Sequence, residues 1–243
     1  MIFIVTWCFF FTLRTHTLTS TNKHYTSIMA TVMMYKNFDA SKISCGVVNK
    51  NRAGGNQVSL MYNEKRGNII IQTPTMRAPF GLSEYVPENG GEPKYSIDAS
   101  FNGYSDDPKI RMFLDVVKAI DEHMVAIGVE HSVEWFGKKM SREVVEELYR
   151  PLIKESKEPE KYAPTCKCKI RDIHKVEAFT KNREPYSVSD LLPGSSIRMI
   201  LEFSPIWFVN KQFGVTLNLI QFEFLEAPAG KLDGFSFVDD DDL

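Results

Sequence analysis

Between Thr165 and Asp172, small or apolar residues alternate with basic ones. Cys166, Cys168 and Ile170 fall to one side of an extended chain, and Lys167, Lys169 and Arg171 to the other. On a strand these cations stand ~6.5–7 Å apart, a spacing that can follow the charges of an extended polyanion. Cations also recur beside rings. Tyr62 precedes Lys65 and Arg66, Arg77 precedes Phe80, and Lys94 precedes Tyr95. Phe179 precedes Lys181 and Arg183, and Trp207 and Phe208 precede Lys211. Tyr85 lies in the same Gly/Pro-rich stretch as Phe80. Rings on which bases stack, at ~1–3 kcal/mol each, beside cations that meet phosphates are the ingredients of a surface for single strands. The candidate contact set is Lys65, Arg66, Arg77, Phe80, Tyr85, Lys94, Lys167, Lys169, Arg171, Lys181, Arg183, Trp207 and Lys211. Each member has a plainer reading as a solvated charge or a core ring. Phe80 and Tyr85 are expected to be exposed, and Phe101, Phe203, Phe222 and Phe224 to be core.

Signatures of catalysis are missing. The chain has no P-loop, no G-x-S-x-G, no H-E-x-x-H and no dinucleotide fingerprint after a strand. Of five histidines, His16 and His24 fall near the start and His123 falls in a helix. His131 and His174 have no evident nucleophile or carboxylate partner. Asp106 and Asp107 read as helix-capping residues. The expectation is a protein without catalytic residues or cofactors. Four cysteines, Cys8, Cys45, Cys166 and Cys168, are too few for a disulfide scaffold. Cys166 and Cys168 lack two further soft ligands at useful spacing, so no metal site is expected. Reduced thiols fit an intracellular protein.

The elements that must position these residues follow from periodicity. Residues 30–55 read as loop. "QVSLMYN" and "NIIIQTP" read as a hairpin turning at Gly67, and residues 74–93 as a long exposed loop. "KYSIDASF" is a strand with Tyr95, Ile97, Ala99 and Phe101 on one face. Asp107 as N-cap, Pro108 at the first helical position, and Ile110, Phe113, Leu114, Val117, Ile120 and Met124 at helical spacing predict a helix ending near Gly128. A second helix starts at Ser141. "KESKEPEKYAP" reads as a charged linker. Strands return with "TCKCKIRDI", a hairpin about Asn182, "SSIRMILEF" and "FGVTLNLIQFEFLE". In the last, the apolar phase shifts from Val215, Leu217 and Leu219 to Ile220, Phe222 and Phe224, which predicts a β-bulge or a strongly bent strand. The fold class is therefore mainly β with a helical insert (α+β). The architecture expected is an OB-fold-like barrel of five or more strands with helices after the third strand. A jelly-roll or sandwich is the alternative.

Three segments follow. Residues 1–28 are expected to be a disordered or spurious extension, with a signal peptide as the alternative. Their apolar run is too short to span a bilayer, and Met29-Ala30 offers an internal start. Residues 40–228 form the OB-like domain, with the helical insert at about 107–153. Residues 229–243 form a flexible acidic tail. Net charge is −2, but residues 231–243 hold one lysine and five aspartates, so the rest of the chain sums to +2. A mildly basic body beside an acidic arm suits a groove for anions that the arm can also enter. Asp239, Asp240, Asp241, Asp242 and Leu243 are the candidate arm residues.

The strand–helix–strand order, the ending "DDDDL" and the segment "IWFVNKQFGVTLNLIQFEF" resemble the phage-type single-stranded-DNA-binding proteins of the T-odd coliphages. Relatives of these occur in large DNA viruses, including algal viruses. The resemblance covers about residues 40–243. It implies an OB fold, sequence-independent binding of single-stranded DNA in replication and recombination, a possible homodimer, and docking of the tail on replication proteins in the host cell nucleus or cytoplasm. Here the tail is short and ends in leucine where that family commonly ends in an aromatic. The competing function class is a virion structural component such as a minor capsid protein.

Overall fold

A computed structural model describes residues 31–227. The expected extension at 1–28, the tail at 229–243, Cys8, His16 and His24 lie outside the described residues. The chain begins with β1 (Val32–Met34), β2 (Ile43–Lys50), β3 (Asn56–Tyr62) and β4 (Lys65–Arg66). Then come β5 (Ile70–Gln72), β6 (Met76–Ala78), β7 (Leu82–Tyr85) and β8 (Lys94–Ser100). Three helices follow: α1 (Pro108–Glu130), α2 (Ser132–Phe136) and α3 (Arg142–Leu148). The last part holds β9 (Tyr149–Arg150), β10 (Ile153–Lys154), β11 (Thr165–Ile170) and β12 (Glu177–Thr180). It ends with β13 (Ser195–Phe203), β14 (Ile206–Val209), β15 (Gln212–Gly214) and β16 (Leu217–Glu226).

Five strands close on themselves in the order β6–β8–β11–β16–β13 and back to β6. Every neighbouring pair is antiparallel except β11 and β16. This is the OB-like barrel expected from the strand pattern. Alternation explains its interior. Ile97, Ala99, Cys166, Cys168, Ile197, Met199, Leu201, Leu217 and Phe222 all point inward and are buried, and fully burying a large apolar side chain stabilises by ~1.5–3 kcal/mol. The bulge is present. Ile200 pairs with Gln221 and Leu201 with Leu219, which leaves Ile220 unopposed and moves the inward phase from Leu219 to Phe222. The first barrel strand breaks between β5 and β6 at Pro74, which has no N–H to donate. Thr73, fully buried, bridges the break by accepting from Met199 N at 3.0 Å and donating to Pro74 O at 2.7 Å.

Helix α1 starts as its sequence predicts: Asp107 accepts from Lys109 N at 2.7 Å and Pro108 opens the helix. Its buried stripe of Phe113, Leu114, Val117, Ile120 and Met124 packs inward, with Phe113 5.8 Å from both Phe101 and Tyr35. Gly128 lets α1 approach closely, because a Cβ there would lie 2.7 Å from Phe213 and 2.8 Å from Val145. Phe213 belongs to a second sheet, β2–β3–β14–β15–β9, with β4 beside β3. Among the described residues no helix is long and apolar enough to cross a membrane.

Several local expectations are corrected. Residues 30–55 hold β1 and β2 rather than loop, and residues 74–93 hold β6 and β7. The segment "QVSLMYN" does not pair with "NIIIQTP". It forms a two-residue hairpin with β4 through Asn63 and Glu64, both at positive φ, while β5 joins the other sheet. "FGVTLNLIQFEFLE" is two strands in different sheets. Phe224 is half-buried and stacks on Tyr186 at 4.6 Å rather than entering the core. The α2 turn had no sequence expectation.

Candidate nucleic-acid interface

Strands β8 and β11 pair with Ser100 opposite Thr165, Asp98 opposite Lys167 and Ser96 opposite Lys169. Because Ile97, Ala99, Cys166 and Cys168 point inward, these partners line the outer face of the barrel. Arg77 of β6 is opposite Ser100, and Lys154 of β10 is opposite Thr165. Registered partners share a face, so Arg77, Ser100, Thr165 and Lys154 form one row across four strands. At ~4.8 Å per strand the row measures roughly 14 Å along the sheet. It has a cation at each end and two hydroxyls between.

That row lies in a groove of about 800 Å³ whose walls also carry Phe80, Lys157, Lys161 and Tyr162. Phe80 is 60% exposed and Tyr162 63% exposed. Phe80 is presented by a tight turn. Gly81 has φ +60°, and a Cβ there would sit 2.4 Å from Leu191 O, so only glycine fits. The opposite wall, residues 154–162, is ordered locally. Glu158 N donates to Ser156 Oγ at 3.1 Å, and Glu158 O accepts from both Lys161 N and Tyr162 N at 3.0 Å.

The electrostatics favour an anion. Arg77, Lys154, Lys157, Lys167, Lys169 and Lys94 make no ion pair among the described residues, and Lys161 is held by Glu158 at 2.6 Å. Asp98 on β8 and Glu155, Glu158 and Glu160 on the wall are the carboxylates of this region. Partial desolvation, followed by the charges of Lys167 and Lys94, pushes Lys169 below the ordinary lysine range. Like charges are therefore gathered on this face, and a bound phosphate relieves their repulsion. Within the barrel, the Cys168 thiol is pushed up by its hydrogen bond with Cys166 and by burial. Among the described residues no group of three or more His, Cys, Asp or Glu side chains is placed to hold a metal.

The structure thus brings together Arg77, Phe80, Tyr85, Lys94, Lys167 and Lys169 on or beside this face; Tyr85, also 60% exposed, stands opposite Lys94. The other predicted contacts lie elsewhere. Arg171, just past β11, is neutralised by Glu202 at 2.9 Å. Lys181 and Arg183 form the turn after β12, beside a separate pocket of about 530 Å³. Lys65, Arg66 and Trp207 belong to strands of the second sheet and Lys211 to the turn between β14 and β15; Trp207 is half-buried and its indole N–H donates to Thr216 at 3.1 Å. His131, read as lacking a carboxylate partner, sits 3.2 Å from Glu134. Sequence reasoning missed Lys154, Lys157, Lys161 and Tyr162 because their segment reads as linker. The one signal was lysine at intervals of three and four beside a tyrosine.

A family model described as "Family of unknown function (DUF5871)" matches residues 109–239. No curated protein matches the chain. Among solved structures, the single-stranded DNA-binding protein from bacteriophage Enc34 in complex with ssDNA is similar at 17% identity. The match covers 76% of this chain and 98% of that one, with a TM-score of 0.44. The crystal structure of gp2.5, a single-stranded DNA binding protein encoded by bacteriophage T7, is similar at 14% identity. It covers 68% of this chain and 98% of that one, also with a TM-score of 0.44.

Proposed function

Starting from a chain that belongs to the Family of unknown function (DUF5871), we propose a non-enzymatic protein that binds single-stranded DNA without sequence preference, in viral DNA replication or recombination. The observation that carries this reading is the groove whose floor is the Arg77–Ser100–Thr165–Lys154 row and whose walls present two open rings, Phe80 and Tyr162. Cations meet phosphates from either end of the row, while exposed rings take the faces of bases irrespective of sequence. Lys167, Lys169 and Lys94 extend this face along β8 and β11, around the single carboxylate of Asp98 opposite Lys167. The tail Asp239–Leu243 supplies an internal anion that competes for the groove and contacts replication proteins, and a homodimer and an intracellular location accord with this role.

The test is titration of the full chain with fluorescent oligothymidine over a range of salt. Each neutralised phosphate contributes about −0.7 to the log–log slope for a single strand, so four contacts give about −3. Absence of binding, or binding indifferent to salt, ends the proposal. Removal of Asp239–Leu243 should tighten binding at low salt; unchanged affinity removes the competitor role and leaves the groove standing.

A further inference from the structure

Asp121 lies on α1 and is not part of the groove lining, yet its carboxylate is spent on one short stretch of chain, residues 149–153. Oδ1 accepts from Tyr149 Oη at 2.7 Å and Leu152 N at 2.9 Å, and Oδ2 accepts from Ile153 N at 3.3 Å. Those partners span the passage from α3 into β10. The next residue, Lys154, is the end cation of the groove row, and the wall bearing Lys157, Lys161 and Tyr162 follows directly. Strand β10 is only two residues long and pairs with β11 through Ile153–Cys166 and Lys154–Thr165 alone. A strand this short has little to hold its register by itself. At its far end the wall is tied by Phe101 N donating to Pro164 O at 3.0 Å. Asp121 is thus the side-chain anchor at the near end, and three donors converging on one carboxylate fix both the direction and the height at which β10 meets the sheet.

We propose that Asp121 is a positioning residue for the nucleic-acid groove: by clamping Tyr149, Leu152 and Ile153 it holds Lys154 in register with Arg77 and sets the wall that carries Lys157, Lys161 and Tyr162. This rests on the single-strand reading above. Its chemistry is preorganisation. Without the clamp, the wall's cations still exist but must be ordered when the ligand arrives, so affinity falls and fewer phosphates are engaged at once.

The experiment titrates oligothymidine with four full-length proteins across salt: wild type, Asp121→Ala, the triple variant Lys154→Ala/Lys157→Ala/Lys161→Ala, and the combination. Circular dichroism and thermal melts are recorded on the same samples. Asp121→Ala should retain the β spectrum, bind about tenfold more weakly, and flatten the salt slope by about one, since Lys154 and Lys157 are unpaired among the described residues while Lys161 is already held by Glu158. The combination should behave like the triple-lysine variant, because both changes remove the same contacts. A melt that drops while the slope of Asp121→Ala stays at the wild-type value overturns the proposal, as do independent, multiplying effects. A wild-type slope in the triple-lysine variant instead removes this wall from the DNA site and so overturns the groove reading itself. Should Asp121→Ala not fold, Tyr149→Phe removes one of the three donors, and a smaller flattening of the slope is expected; no flattening overturns the proposal.

Discussion

Two depressions on one barrel each contain a strand arginine, Arg77 on β6 and Arg198 on β13, and the two arginines differ in what they already hold. In the groove over β6, β8, β10 and β11, Arg77, Lys154 and Lys157 have no ion pair among the described residues, and Phe80 stands open. In the pocket over β12, β13 and β16, Arg198 is clasped by Glu223 on the neighbouring strand, Gln221 donates to Glu177 at 2.9 Å, and Phe179 is half-buried. The lesson concerns availability. A cation whose carboxylate partner sits opposite in the sheet has its charge satisfied locally, so a passing phosphate gains little from it. A cation flanked by serine, threonine or another lysine gains most.

The largest expected effect breaks or upholds that contrast directly. Replacing Arg77, Lys154 and Lys157 together by alanine should weaken oligothymidine binding about 100-fold at low salt and flatten the slope by about two. Arg198→Ala should change affinity by less than about threefold and lower thermal stability slightly, since its partly exposed pair with Glu223 contributes ~0.2–1 kcal/mol. Equal losses of affinity in both variants would erase the distinction. An intermediate effect belongs to the rings. Phe80→Ala and Tyr162→Ala should each cost ~1–3 kcal/mol of binding with little change in salt slope, whereas Phe179→Ala should leave binding intact. Fluorescence titration at fixed salt separates them.

The smallest effect is on stability and concerns the groove's anchor. Burial holds the Asp121 carboxyl above its ordinary value of 3.8, partly offset by the hydrogen bonds from Leu152, Tyr149 and Ile153. A raised carboxyl value means that the folded state binds this proton more tightly than the unfolded one. The stabilising contribution is then full below 3.8 and is lost as pH rises through the folded value. Wild type should therefore lose melting temperature relative to Asp121→Asn over that window, and a constant difference across it would contradict the assignment.

How much of this was legible in the sequence differs by element. Strand β11 was readable because a period of two depends only on neighbours along the chain: Cys166 and Cys168 alternate with Lys167 and Lys169, and the barrel buries the first pair and exposes the second. Helix α1 was readable from Asp107, Pro108 and its apolar stripe, and the bulge in β16 from the shift of phase at Ile220. Sheet partners were not readable in the same way. Strand β3 looked like one arm of a hairpin with β5, yet its long-range neighbour is β14, since Val58 pairs with Ile206. Nothing local records such a pairing.

The candidate contacts divide along the same line. Which residues are cations and rings, and on which side of a strand or helix each must stand, was determined by sequence alone, because side-chain chemistry and backbone periodicity are local properties. Which of them share a groove was decided by closure of the barrel. Closure set Arg77, Ser100, Thr165 and Lys154 side by side from four separate strands, gave Arg171 to Glu202 and Arg198 to Glu223, and turned an apparent linker into a wall. Charge neutralisation and ring exposure depend on neighbours in space, and those neighbours exist only once the chain has folded.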